Sequence, residues 1–208
     1  MTRPLRWLLG NLPALDWQIA VLTVVSTSLL LLDSYHEFTA NPYLDRAILY
    51  LIVPLLVTLL VFRQNPAQYG LRLGDWRAGL LLTLLAVLIF TPLLLWVARQ
   101  PEMQAYYRFR FGPRLLLDVT LDLIGWEFLF RGWLLFGYAR RFGPEAIWLQ
   151  AVPFALAHLS KPEIETLSTI FGGFAFGWVA WRTRSYLYPF FIHWYIMTFT
   201  VLVAAGIF

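Results

Sequence analysis

The sequence predicts an all-helical bundle that crosses a membrane about seven times, a single integral membrane domain over residues 1–208. Composition is the first reason: 60% of the 208 residues are hydrophobic and only 13% are charged. Mean hydropathy is +0.65, more apolar surface than a soluble core of this size can hide. Distribution is the second, because apolar runs approaching the roughly 20 residues that span hydrocarbon recur along the chain between short polar or Gly/Pro-containing stretches. The third is an anomaly. The apolar run Leu115 to Phe136 carries Asp118, Asp122, Glu127 and Arg131 among Leu, Ile, Trp and Phe, and ionisable groups at bilayer depth mark a functional site.

Composition also excludes. Cysteine is absent, which removes thiol catalysis and disulfides. The basic residues form no clustered face of the kind nucleic acid needs. A sequence pI near 9.6 fits basic loops on the cytoplasmic side of a membrane.

Taken in order, the first span is expected at about Trp17 to Leu32, an anchor without the small-residue cleavage site of a signal peptide. The second runs from about Ala47 to Phe62 and the third from about Ala78 to Ala98, with kinks expected at Pro54 and Pro92. Between them, Arg63 to Arg77 contains Gln-Asn-Pro, Tyr-Gly and Leu-Gly-Asp, which break a helix into a loop or surface hairpin. Arg99 to Arg114 alternates aromatics with Arg108 and Arg110 and is expected to lie along the membrane surface. The charged run is the fourth span. The fifth covers about Pro144 to Leu159, starting at Pro144. The sixth, about Ile164 to Trp181, carries Gly173 and Gly177, a small-xxx-small pair that lets another helix approach. The seventh begins near Tyr188.

With the N-terminus in the cytoplasm, seven spans put Arg3, Arg6, Arg63, Arg72, Arg77, Arg140, Arg141, Arg182 and Arg184 on the cytoplasmic side. Arg46, Arg99, Arg108, Arg110, Arg114 and Lys161 fall on the other. The excess agrees with the positive-inside rule. Glu127 and Arg131 are four residues apart, so a helix puts them on one face with the acid N-terminal to the base, the favourable order. Two further spans each bring one histidine, His158 and His193. At 1.5 Å per residue, Glu127, His158 and His193 fall roughly 15, 20 and 10 Å from the cytoplasmic end. Helix tilt absorbs such differences, so the three are expected to face a common cavity.

The succession Glu127-xxx-Arg131, Phe154-xxx-His158 and a histidine near the start of the last helix resembles the CAAX-protease and bacteriocin-processing (CPBP, or Abi) family of intramembrane glutamic endopeptidases. The resemblance covers about residues 115–200. It implies hydrolysis of a peptide bond in a membrane-associated or lipidated peptide or protein, with no cofactor or metal, in a bacterial inner membrane. The family pattern is EExxxR, FxxxH and HxxxN, in which a glutamate and the first histidine activate water while the last histidine and the asparagine hold the oxyanion. Carried over, it makes Glu127, His158 and His193 catalytic and Arg131 and Phe154 supporting. Glu165, seven residues after His158, is a reserve base.

Two positions depart from that pattern. Trp126 stands where the first glutamate belongs, and Met197 stands four after His193 where the asparagine belongs. An indole takes no proton and a thioether donates no hydrogen bond to an oxyanion. Other readings therefore stay open. The three residues form a weak metal set of two His and one carboxylate, without HExxH; alternatively, the chain is a pseudoenzyme that binds membrane peptides or partners. Taken singly, Glu127 with Arg131 is a buried structural pair, each histidine a satisfied interface group, and Asp118 with Asp122 hydrogen-bonded supports or a wet entrance.

Overall fold

A computed structural model describes residues 14–208. Every regular element among them is helical. Helix α1 is Trp17–Tyr35, opened by Asp16, whose carboxylate accepts from the Gln18 and Ile19 amides at 3.0 and 3.3 Å, the usual N-cap arrangement. Helix α2 is Pro42–Val61, capped by Asn41 with proline at its first position, where a missing N–H costs nothing. Pro54 does not break α2. Wide π turns flank it at Ile48–Ile52 and Val57–Val61, taking up the carbonyls that a proline leaves without a regular partner.

After a loop that holds only the short 3-10 turn Pro66–Tyr69, α3 is Trp76–Val97, capped by Asp75 at 3.1 Å from the Ala78 amide. The stretch read as a loop or hairpin is thus a loop. The surface segment is α4, Pro101–Tyr107, with a 3-10 turn Arg108–Arg110. Then come α5, Leu115–Glu127, a π stretch Phe128–Leu134, and α6, Leu135–Phe142, in one continuous rod. The chain closes with α7, Ala146–Leu156, α8, Glu163–Thr183, and α9, Leu187–Ala204.

Burial explains the order of layers. Every residue from Gly125 to Gly137 is buried, so the rod from α5 to α6 is the axis and the other helices wrap it. Helix α3 lies outside, with Leu81, Leu84, Leu88 and Ile89 between 58% and 70% exposed, the surface a lipid-facing helix presents. Four described helices, α1, α2, α3 and α9, are long and apolar enough to cross a membrane, against the seven crossings expected. The others fall short for identifiable reasons: α7 has only 11 residues, α8 carries Glu163, Glu165 and Arg182, and the axial rod is charged.

Small residues set the close approaches. A Cβ on Gly125 would stand 2.6 Å from the Arg46 carbonyl oxygen, and one on Gly173 2.9 Å from the Ala151 Cβ, so α2 meets α5, and α8 meets α7, almost backbone to backbone. The Gly173 contact is the close approach that the small-xxx-small pair predicts. Charge is divided between two regions. In one, Arg182 meets Asp75 at 2.8 Å, Arg72 donates to the Arg184 carbonyl at 2.9 Å, and Arg140 reaches Gln64 and Gln68. In the other, Arg46, Arg110 and Lys161 line a single cavity. Of the basic residues assigned to the cytoplasmic side, Arg3 and Arg6 lie outside the described residues.

Candidate active site

Glu127 closes α5, and the π stretch begins with the next residue. Such widened turns recur at functional sites because they re-aim side chains without ending the helix. Arg131 lies within that stretch. Its Nη1 donates to Glu127 Oε1 at 3.1 Å, with neither side chain exposed at all. The guanidinium packs over the Phe154 ring at 3.8 Å and the Phe176 ring at 5.0 Å, which replaces part of its lost hydration. His193, six residues into α9, brings Nδ1 to the same Glu127 Oε1 at 2.6 Å. One carboxylate oxygen thus holds both an arginine and a histidine.

His158 follows the end of α7, buried, with Nδ1 2.8 Å from the Phe154 carbonyl oxygen. A carbonyl only accepts, so Nδ1 carries the proton and Nε2 is left as an acceptor. The Glu127 carboxylate imposes the same tautomer on a neutral His193. Phe154 links the three groups: its ring lies 4.5 Å from the His158 ring, 6.2 Å from the His193 ring and under the Arg131 guanidinium. A large, flat, fully packed side chain four residues before His158 is what this contact requires.

His158, His193, Trp126 and Met197 all line a cavity of about 690 Å³, within the range of ligand-binding pockets. Glu127 does not. Its side chain is completely enclosed, behind His193 rather than on the wall, so the common cavity expected for all three groups receives two of them directly and the third through a hydrogen bond. Trp126 occupies the wall beside it, edge-on to His158 at 5.5 Å and stacked on Phe130 at 5.3 Å. Glu165 is elsewhere, accepting from Tyr107 Oη at 2.5 Å and from Lys161 at 2.9 Å. Thr198 Oγ1 is buried away from the cavity. Among the described residues no three His, Asp or Glu side chains converge as metal ligands would.

Sequence reasoning missed a second polar cluster on the same cavity. Arg46 bridges Asp33 at 3.2 Å and Asp122 at 3.1 Å, and Tyr50 Oη donates to Asp33 at 2.8 Å. The sequence makes Asp122 a hydrogen-bonded support or part of a wet entrance, and it is both paired and on the wall. Its partners gave no signal, since Asp33 and Arg46 stand at the ends of apolar runs where charged residues are ordinary.

Residues 109–199 match a protein family described as type II CAAX prenyl endopeptidase, Rce1-like. The description is that of the CPBP family, to which this part of the chain is similar. The match begins in the surface segment and ends in α9, so it contains every group of the Glu127–Arg131–His193 cluster along with Phe154, His158, Trp126 and Met197. No curated protein and no solved structure matches the chain.

Proposed function

We propose that this chain, similar to the CPBP family over residues 109–199, is an intramembrane endopeptidase that hydrolyses a peptide bond in a membrane-associated or lipidated peptide, with His193 as the general base. The observation that carries this reading is the 2.6 Å contact between His193 Nδ1 and a Glu127 carboxylate that is fully enclosed and held by Arg131. A buried carboxylate that accepts Nδ1–H fixes the imidazole's tautomer and orientation and stabilises the imidazolium that forms on proton transfer. Glu127 is therefore a positioning residue rather than the base that the resemblance made it.

The steps follow from the two tautomers. Both histidines line the cavity and each neutral ring keeps Nε2 as its acceptor, so in this reading one water between them gives one hydrogen to each. His193 Nε2 takes the proton as the water oxygen attacks the carbonyl carbon, and His158 orients the lone pair. The tetrahedral intermediate then collapses, and the leaving nitrogen recovers the proton from His193. Met197 offers the oxyanion no donor, which predicts slow turnover.

The same reading makes residues 1–208 one membrane domain with seven crossings, in which the axial rod, α7 and α8 join the four most apolar helices, in a bacterial inner membrane with the N-terminus cytoplasmic. Two observations support the additional crossings: Asp122, Glu127 and Arg131 inside the rod are buried, and α7 carries no charged residue.

Purified protein in detergent, given a panel of membrane peptides, tests the chemistry. His193→Ala should abolish cleavage, and Glu127→Gln should lower it by about 10⁴-fold, as losing the orienting carboxylate does in a Ser-His-Asp triad. Cleavage by Glu127→Gln at the wild-type rate would move the base to His158. One observation favours a second reading: Trp126 fills the wall beside His158 where a carboxylate would serve hydrolysis. A pseudoprotease would bind the same peptides and cut none.

A further inference from the structure

The cavity wall carries three cations with unequal partners. Arg46 is held between Asp33 and Asp122. Lys161 is neutralised by Glu165 at 2.9 Å. Arg110 has no carboxylate partner among the described residues; its one polar contact is Nη2 to Tyr106 Oη at 3.2 Å, and its guanidinium lies over the Tyr106 and Tyr107 rings at 5.0 and 5.4 Å. Those rings are fixed in turn. Tyr107 is buried and donates to Glu165 at 2.5 Å, which ties the surface segment to the first turn of α8. Arg110 is thus a half-buried guanidinium held against a rigid aromatic backing on the same cavity as both histidines.

A guanidinium has five N–H donors in a planar fork that matches a carboxylate two bonds at a time. Most of those donors have no protein acceptor here, while the neighbouring cations are already paired. Resting on the peptidase reading above, we propose that Arg110 is a specificity residue that binds a carboxylate of the substrate peptide, at its chain end or on an acidic side chain. Such an anchor holds one end of the peptide while the scissile bond reaches the histidines, and the ionic contact acts on binding rather than on the chemical step.

Three otherwise identical neutral peptides test it: one with a free C-terminus, one amidated, and one amidated but bearing a penultimate Asp. Binding to the wild type in an uncharged maltoside detergent is read by fluorescence anisotropy, and KM and kcat are read wherever a peptide is cut. At least one carboxylate-bearing peptide should bind about tenfold to a hundredfold more tightly than the neutral amide, the range of a charge-assisted hydrogen bond. Which one does so identifies the source of the carboxylate. Arg110→Gln should remove the preference through KM with kcat retained, and Arg110→Lys should keep part of it. Arg108→Gln should keep all of it, because Arg108 lies off this cavity, over Phe109. Equal binding of all three peptides to the wild type overturns the assignment, as does a preference that survives in Arg110→Gln. A short-chain phosphatidic acid whose binding depends on Arg110 while the peptides do not differ would make the site a lipid phosphate site instead. If Arg110→Gln unfolds, Arg110→Lys carries the test. The binding arm is independent of catalysis, so a protein that binds with the expected preference but cuts nothing defeats the peptidase reading and leaves Arg110 as a carboxylate site.

Discussion

At the scale of single residues, the sequence names the groups and the structure sets their depth. Glu127, Arg131, Phe154, His158 and His193 were legible because order and spacing survive in one dimension, and they do meet. Their depth was not legible: nothing in Trp-Glu-Phe tells which of two adjacent side chains faces a cavity, and here Trp126 takes the wall while Glu127 is sealed behind His193. Removing Arg131 should therefore be severe. Arg131→Ala leaves a carboxylate with no exposure and only a histidine for a partner, a defect of about 3–5 kcal/mol, to be read as a lower midpoint of thermal unfolding in detergent. Glu127→Gln together with Arg131→Met should recover most of that loss, since a buried pair replaced on both sides is close to neutral. Met197 lies one turn after His193 and lines the cavity. Met197→Asn should raise turnover by about tenfold or more, because one preorganised oxyanion donor contributes roughly 2.7–4 kcal/mol. No change in kcat in a protein that cleaves would place the oxyanion away from residue 197.

At the scale of elements, the apolar runs predicted where helices lie better than how they are wound. The first span extends to Tyr35, the second begins at Pro42, and the charged rod continues six residues beyond Phe136 to Phe142. The π turns at Ile48–Ile52, Val57–Val61 and Phe128–Leu134 left no trace, because a turn with one extra residue keeps the same apolar composition and shifts only the phase. Gly125 shows what phase controls. It lets the start of α2 lie against α5, which puts Arg46 within 3.1 Å of Asp122. Gly125→Ala keeps, and slightly raises, helix propensity, yet its methyl would meet the Arg46 carbonyl at 2.6 Å. The helices must part, at a cost of about 1–3 kcal/mol by analogy with overpacked cores. Unfolding measurements on Gly125→Ala check this, with Gly112→Ala as control, since a Cβ there meets nothing within 4 Å.

At the scale of the whole molecule, apolar composition fixed the solvent, and the solvent explains why the charged groups of the interior are paired or line the cavity. Water is the only other partner they have in a bilayer, so each must be paired or face a wet space. The Arg46 cluster is the clearest case, and one guanidinium joins three helices there: Asp33 comes from α1, Arg46 from α2 and Asp122 from α5. Arg46→Met keeps the length of the side chain and much of its packing but leaves two carboxylates facing each other across the gap. Asp122 is almost enclosed, with 5% of its side chain exposed, whereas Arg46 keeps 27%. The loss should therefore be about 2–3 kcal/mol, below that of a fully buried pair. Simple loss of packing by Arg46 would give a similar number, so the rescue decides between them. Replacing Asp33 and Asp122 by Asn in the Arg46→Met background removes the stranded charges and should restore most of the unfolding midpoint. If the triple variant is no more stable than Arg46→Met alone, charge pairing is not what holds α1 and α2 to the axial rod.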